Sequence, residues 1–552
     1  MARRAHAYPQ VSLTAADLVD TALVTAPPRI TVVDALRLAR RRHARLLACG
    51  PGSHVLTEDL ARAETLGLGE LLASDVARPL PVFAPDTPEL RVRRALADGA
   101  PAVVVAGRAP AAITRAPVPR AVALGERVRV GLPADSRAVL DEVARLAAAH
   151  GARAFLAGGL VRDLWRGAAA GARDLDVVIE GDGLAVARAL ADALGGALVE
   201  HDRFLTASVK TDTHGRIDVV TARTERYERP GALPRVLPGS IAQDLRRRDF
   251  SVNAMAAELG AATPLLLDPL GGVADLARRR LRILHPLSFV EDPTRMLRGV
   301  RYATRLGLAA DRWTARCQAL ALRLAPYPAL SAARVAAELE RLLAEPSAAA
   351  ALTAAVDNHV IRLLEPRWRP VAATAAHLKT LDATLTFVSA HRVASPLTVA
   401  ALSLAADQPA TVFSSLLERM GLAGEPRRRV EQALTDGPRL AGQLRAAPSR
   451  SAVAEALREA SGAMLAWLYA TAEPRVRELV DWYAREGRGV RGELDGEDVI
   501  GLGVPRGPAV SRVLRALRDG RLDGRFADRR AEIDYVRSLS TRDDTTRDER
   551  KG

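Results

Sequence analysis

Short apolar runs separated by helix-like stretches fill residues 1–120 and again 136–285, whereas beyond Glu291 the chain reads as helix after helix, rich in Leu, Ala and Arg with prolines between. The first 120 residues contain one pattern twice. The first copy has a helical start (15–21), an extended piece (28–33), a helix (33–42) and strands at Leu46–Leu47 and at 55–57. The second runs through 73–76, 81–83, 90–97, 102–105 and 112–114. A proline-containing stretch (116–135) is expected to hold a linker over 121–135. A mixed α/β domain then spans 136–285, opened by a helix over 136–149. Helical segments follow over 286–350 and 351–540, and the polar 541–552 is expected to be disordered.

Composition narrows the picture. At 552 residues and 48% hydrophobic content, the chain has material for several cores. The formal charge of +14 favours a polyanionic partner, because clustered arginines displace counterions from a phosphate backbone. GC-rich coding would also enrich arginine, so charge alone does not decide the matter. Cys49 and Cys317 are the sole cysteines, which excludes a disulfide framework or a thiolate metal site and suits a reducing cytoplasm. The arginine-bearing start has no apolar core after it, and no uninterrupted apolar span follows, so a soluble, cytoplasmic protein without a membrane partner is expected.

The candidate chemistry lies between 155 and 305. In RDLDVVIE (173–180), Asp174 and Asp176 are two apart at the start of an apolar strand, so both carboxylates share a face. Such a pair suits magnesium, which prefers hard oxygen ligands and leaves room for substrate phosphates. Asp218, in RIDVVTART (216–224), is a candidate third carboxylate from a neighbouring strand. In FLAGGLVRDLW (155–165), Gly158 and Gly159 stand where a strand turns into a helix, which lets backbone approach a phosphate, and Arg162 follows one turn later. Within RRRDFSVNAMA (246–256), Arg248, Asp249 and Asn253 supply a cation, an acceptor and an amide, a trio suited to a ribose with its phosphates. In EDPTRMLRGVRYATRLG (291–307), Asp292 can cap a helix with Pro293 at its first position. Arg295, Arg298 and Arg301 form a basic stripe, and the Asp292–Arg295 pair could read a base edge. Each motif has a plainer reading as a strand end, a tight turn or a salt-bridged helix start; their combination points to nucleotidyl transfer.

Together with DPLGGVADL (268–276), these motifs resemble, in order, the class II tRNA nucleotidyltransferase and bacterial poly(A) polymerase family. The resemblance implies a polymerase-beta-like α/β nucleotidyltransferase domain followed by a helical neck and an all-α, tRNA-binding body. It implies that Asp174 and Asp176 bind metal, that Gly159 and Arg162 contact nucleotide phosphates, and that Arg248 and Asp249 hold ribose and phosphate. Asp292 and Arg295 would select ATP or CTP, with Arg298 and Arg301 lining the same pocket. The stretch EHDRFLTASV (200–209) stands where poly(A) polymerases carry a G-R-R-F-type signature, which favours tRNA as substrate. Some relatives carry a phosphohydrolase domain; the His201–Asp202 step lies inside the transferase region, and no second hydrolase site is expected.

The N-terminal tandem resembles paired cystathionine-beta-synthase-type (CBS-like) modules, which implies either a scaffold or dimerisation unit or a cleft for an adenosine nucleotide. A loop leading to a helix near the C terminus places Arg506 and Arg512 as candidates for a tRNA backbone contact. Three functions stay open: addition of C, A or both to tRNA, poly(A) synthesis, and nucleotide-sensing RNA binding without turnover. Oligomeric state stays open as well.

Overall fold

A computed structural model describes residues 13–107, 110–114, 122–123, 125–168, 175–260 and 265–548, with side chains left aside at 122–125 and 540–548. The chain forms two compact units, 1–331 and 332–552.

Unit 1 opens with the tandem. Strand β1 (Thr21–Ala22) is followed by β2 (Val24–Thr25), α1 (Val32–Arg41), β3 (Leu46–Ala48), β4 (His54–Leu56) and α2 (Thr57–Thr65). The second copy has β5 (Val82–Phe83), α3 (Glu89–Ala97), β6 (Val103–Val105) and β7 (Ala111–Ile113). In each copy a parallel pair (β2 with β3, β5 with β6) is joined to an antiparallel one (β3 with β4, β6 with β7). Leu46 and Leu56 of the first copy pack with Val104 and Ala112 of the second in one buried cluster, which explains why each copy needs the other. Three expectations change. Of the helical start at 15–21 only Ala16–Leu18 is helical, as a single tight turn, and Thr21 already belongs to β1. Residues 28–33 form a turn and helix start, because the Thr31 hydroxyl accepts the Asp34 N–H and caps α1. Thr57 opens α2 rather than extending a strand.

The expected linker is also structured. It contains β8 (Val122–Ala123), α4 (Gly125–Gly131) and the first residues of α5 (Ala134–Ala149). Next come β9 (Arg153–Ala157), α6 (Gly159–Arg166), β10 (Leu175–Glu180), α7 (Gly183–Leu194), β11 (Ala197–His201), β12 (Thr206–Thr211) and β13 (Gly215–Thr221). The hairpin of β14 (Arg223–Arg226) and β15 (Arg235–Pro238) leads to α8 (Ile241–Arg246), β16 (Ala256–Glu258) and β17 (Leu265–Leu267). Eight strands pair in the order β11-β12-β13-β10-β9-β16-β17-β8. Alternate residues such as Val177, Ile179, Ile217 and Val219 are buried beneath α5 and α7, which leaves Asp176 and Asp218 on the opposite face. The unit ends with α9 (Gly272–Ala277), α10 (Ser288–Glu291), α11 (Thr294–Leu306) and α12 (Arg312–Arg323).

The tandem is docked on this domain. Buried Arg78 pairs with Asp59 at 2.6 Å and lies over the Trp313 ring, while Trp313 Nε1 donates to the Ala77 carbonyl at 3.2 Å. Backbone meets backbone beside it: a Cβ on Gly99 would stand 2.2 Å from the Leu270 carbonyl oxygen, and one on Gly271 would stand 2.1 Å from that of Asp98. Only glycine fits both positions.

Unit 2 is helical throughout its described residues. Trp368 is buried and donates from Nε1 to the Leu404 carbonyl at 2.7 Å. The last helix, Arg529–Asp548, runs into the segment expected to be disordered; residues 549–552 lie outside the described ones. Its Glu532 is buried and accepts the backbone N–H groups of Glu493 and Leu494, which explains why the helix is held. Among the described residues no helix is long and apolar enough to cross a membrane, and both cysteines are free and buried.

The glycine contact gives a direct test. Gly99→Ala should lower stability by about 2 kcal/mol or more, read as a fall in the denaturation midpoint. Gly52→Ala, also at positive φ but with nothing within 4 Å, should cost less. Equal losses would mean that the close approach is not what demands glycine.

Candidate active site

Strand register brings the acidic residues together. Strands β10 and β13 run parallel with Asp176 opposite Asp218, so the two carboxylates start from neighbouring backbone positions on one face. Asp176 is exposed and Asp218 half-buried. Asp218 Oδ1 accepts from Ser208 on β12 at 2.5 Å and from Arg216 Nε at 2.8 Å, which fixes the carboxylate. Asp174 lies outside the described residues. The strand face offers the hard oxygen donors that a magnesium ion takes, although the described residues alone contain no group of three or more acidic, His or Cys ligands.

The glycine turn sits beside Asp176. Val177 pairs with Leu156 in the antiparallel β9–β10 ladder, so the start of β10 lies against the end of β9, where Gly158 follows. Gly158 has φ +81°, and a Cβ there would stand 2.6 Å from Arg248 Nη1. Glycine is needed for that guanidinium to approach. The Gly158 N–H donates to the Met255 carbonyl at 2.9 Å, which holds the turn against the segment that follows Asn253. Gly159 opens α6 against the Arg162 guanidinium.

Arg162 points inward. It is 2% exposed, donates to Asp163 Oδ1 and Oδ2 at 2.9 and 2.8 Å, and also donates to Asn253 Oδ1. Asn253 in turn donates from Nδ2 to Asp249 Oδ1 at 3.1 Å, and Arg298 Nη2 lies 2.6 Å from Asp249 Oδ2. Burial would raise the Asp249 carboxyl, but Arg298, Asn253, Arg295 and the Phe250 N–H hold it below the usual range. One network therefore ties α6, the turn Ser251–Asn253 and α11. Tyr302 lies among its cations, with the Arg162, Arg301 and Arg305 guanidinium carbons 5.7, 4.8 and 5.4 Å from its ring centre.

A second network supports the base-reading candidates. Asp244 on α8 is fully buried and pairs with Arg247 at 2.7 Å and Arg248 at 3.0 Å. Arg247 also reaches Glu225 on β14 at 2.7 Å, and its carbonyl accepts from Arg295 Nη2 at 2.9 Å. Arg295 Nη1 donates to Ser288 Oγ at 2.7 Å. Asp292 is half-buried; its Oδ1 accepts from Thr294 N at 3.1 Å and Thr294 Oγ1 at 2.6 Å, but the expected cap shifts by one residue: Pro293 occupies the N-cap, Thr294 opens α11, and Asp292 stands just before the cap. Sequence reasoning missed Asp244, Glu225, Arg247 and Tyr302. The signal for α8 was present in Ser240 and Gln243, which form a capping box at its start.

Glu291, the residue before Asp292, was missed too. It is 4% exposed and stands 2.8 Å from Arg62 Nη1 and 3.3 Å from His285 Nε2. Burial and the nearby Arg62 cation push the His285 imidazole down to about 4. Burial opposes ionisation of Glu291, yet His285, Arg62 and Arg295 hold its carboxyl at about 2.

Comparison with known proteins agrees in location. A family profile described as the Poly A polymerase head domain matches residues 154–282. The CC-adding tRNA nucleotidyltransferase of Deinococcus radiodurans is 34% identical over 406 residues, covering 72% of this chain and 92% of that protein. The A-adding tRNA nucleotidyltransferase of Halalkalibacterium halodurans is 43% identical over 212 residues, 38% of this chain; the chain spans 48% of that relative's length, about half. A solved CCA-adding enzyme, in its apo form II, superposes with TM-score 0.66 at 25% identity, over 76% of this chain and 99% of that one.

The buried His285–Glu291 pair predicts acid sensitivity. His285 binds a proton less readily folded than unfolded between its ordinary 6.5 and about 4, and Glu291 does so between 4.5 and about 2. Their contribution is complete above about pH 6.5 and is lost as pH falls through those windows. Denaturation midpoints should decline from pH 7 to pH 4, and His285→Gln should decline less steeply; parallel slopes would assign the acid sensitivity elsewhere.

Proposed function

The chain belongs to the tRNA nucleotidyltransferase family, and from that premise we propose that it adds C, A or both to the 3′ end of tRNA, using CTP and ATP and releasing pyrophosphate. The reading rests above all on the in-register Asp176–Asp218 pair, of which Asp176 lies at the start of β10, beside the end of β9 where the Gly158 turn and Arg248 meet. From Arg248 the connection continues through its neighbour Arg247, whose carbonyl holds Arg295.

In this mechanism the terminal 3′-hydroxyl oxygen attacks the α-phosphorus, the bond to the bridging oxygen breaks, and pyrophosphate leaves. Asp174 and Asp176 would hold magnesium, which when bound neutralises charge on the transferring phosphate. Asp218, fixed by Ser208 and Arg216, takes the hydroxyl proton or adds a donor to the metal shell. Arg248 and Arg298 face the triphosphate and ribose, with Gly159, Arg162, Asp249 and Asn253 setting their positions and Arg301 lining the pocket. Asp292 accepts from the exocyclic amine that cytosine and adenine share, and Arg295, held at both terminal nitrogens by Ser288 and the Arg247 carbonyl, donates a remaining N–H to the neighbouring ring acceptor. The exposed Arg506 and Arg512, on either side of the start of the helix Pro508–Leu522, hold a tRNA backbone phosphate. The N-terminal tandem serves as a CBS-like docking scaffold, since its strand pairing repeats and its second copy is locked to Leu270–Gly271.

Purified protein given tRNAs that end before the first C, after the second C, or complete, each with one labelled nucleotide, should extend the truncated tRNAs by one to three bases and leave the complete one unextended. Long homopolymer tails would make it a poly(A) polymerase, and tRNA binding without turnover an inert sensor. Asp176→Ala should cut incorporation at least about a hundredfold with an unchanged melting profile. Near-normal incorporation by that variant with magnesium would remove the carboxylate assignment.

A further inference from the structure

Arg62 belongs to the N-terminal tandem, yet its guanidinium ends on the residue preceding the base-reading carboxylate. It leaves α2, and its Nη1 donates to Glu291 Oε1 at 2.8 Å across 229 residues of sequence. His285 Nε2 lies 3.3 Å from both Glu291 Oε2 and Arg62 Nη1, so the three side chains form one cluster. Glu291 is the last residue of α10; Asp292 follows, and Arg295 stands in the first turn of α11. The Val290 carbonyl is also tied, accepting from Gly231 N at 3.1 Å. These contacts hold the Val290 carbonyl and the Glu291 side chain, the two residues directly before Asp292.

We propose that Arg62 is a positioning residue for nucleotide choice: by holding Glu291 it fixes the turn that carries Asp292, so the N-terminal module tunes which bases the pocket accepts. This rests on the reading of Asp292 and Arg295 as the base-reading pair. Charge requirements favour Arg62 for the task. A carboxylate buried to 4% exposure needs a cation in contact. His285 is neutral near pH 7 because burial and Arg62 oppose its protonation, and Arg295 directs its two terminal nitrogens to Ser288 and the Arg247 carbonyl. Arg62 supplies the direct ion pair, and its half-buried position lets it reach the cluster from the module's surface. Removing it leaves Glu291 to take up a proton or admit water, and either response loosens the turn one residue before Asp292.

The test uses the full chain and single-nucleotide incorporation on a tRNA acceptor. kcat and KM are measured for the nucleotide it incorporates, whether CTP or ATP, and for UTP and GTP. Arg62→Ala should raise KM for the cognate nucleotide and reduce discrimination against UTP and GTP by about tenfold, the scale expected from a slightly misplaced reading group, with kcat changing less than about threefold. Arg62→Lys, which restores a cation, should recover part of both; it also carries the test if Arg62→Ala does not fold. Arg278→Ala removes a different ion pair of the same docking face, Arg278 to Asp98 at 2.7 Å, and should leave discrimination unchanged. Wild-type KM and discrimination in the folded Arg62 variants would overturn the proposal, as would an equal effect of Arg278→Ala. Asp292→Ala separates the two layers: discrimination that survives it removes the base-reading assignment itself, whereas discrimination lost there but kept in the Arg62 variants removes only the role of Arg62.

Discussion

A carboxylate withdrawn from water must be matched by positive charge and hydrogen-bond donors, and the candidate site is organised around two that are: Asp249 and Asp244. Asp249 gathers Arg298, Asn253 and the Phe250 N–H, and through Asn253 it reaches the buried Arg162. Asp244 gathers Arg247 and Arg248. Leaving either acid buried without its partners would cost several kcal/mol, so α6, α8 and α11 are constrained to meet. The exposed Asp176 depends on that meeting only indirectly, through the strands that end beside it.

Several arginines named as ligand contacts thus have a structural duty as well. Arg162 is the clearest case. Its spacing after the glycine pair suggested a group reaching outward, but the side chain turns into the Asn253–Asp249 cluster beneath Tyr302. An arginine held this way keeps a fixed geometry, because its donors are already committed to Asp163 and Asn253.

Much of the fold was legible because it follows from periodicity. The two copies of the N-terminal pattern, the strands bearing Asp176 and Asp218 and the succession of helices after Glu291 all declare themselves through apolar spacing and caps. The sequence also put Gly158, Arg248, Asp249, Asn253 and Arg298 in one neighbourhood, since each stands in a short motif with a defined turn or helix start. What stayed hidden depends on long-range pairing. Nothing local in VLTEDLARAET indicates that Arg62 meets Glu291, and an eight-stranded sheet that draws in β8 from an apparent linker requires knowledge of which edge is open. Asp244 was missed because an acid on an amphipathic helix looks solvated until its burial is known.

The crossing of the chain at Leu23 has a consequence for modularity. Strand β1 belongs to the sheet of the second copy, where it pairs with β7, while β2, two residues later, belongs to the sheet of the first. The second copy therefore takes its outer strand from the first copy's stretch of sequence, and a cut placed between the repeats would strip β1 from it. Moved without residues 21–22, the second repeat would expose the edge of β7 that β1 covers, so the natural unit to transplant is the pair and not the second repeat alone.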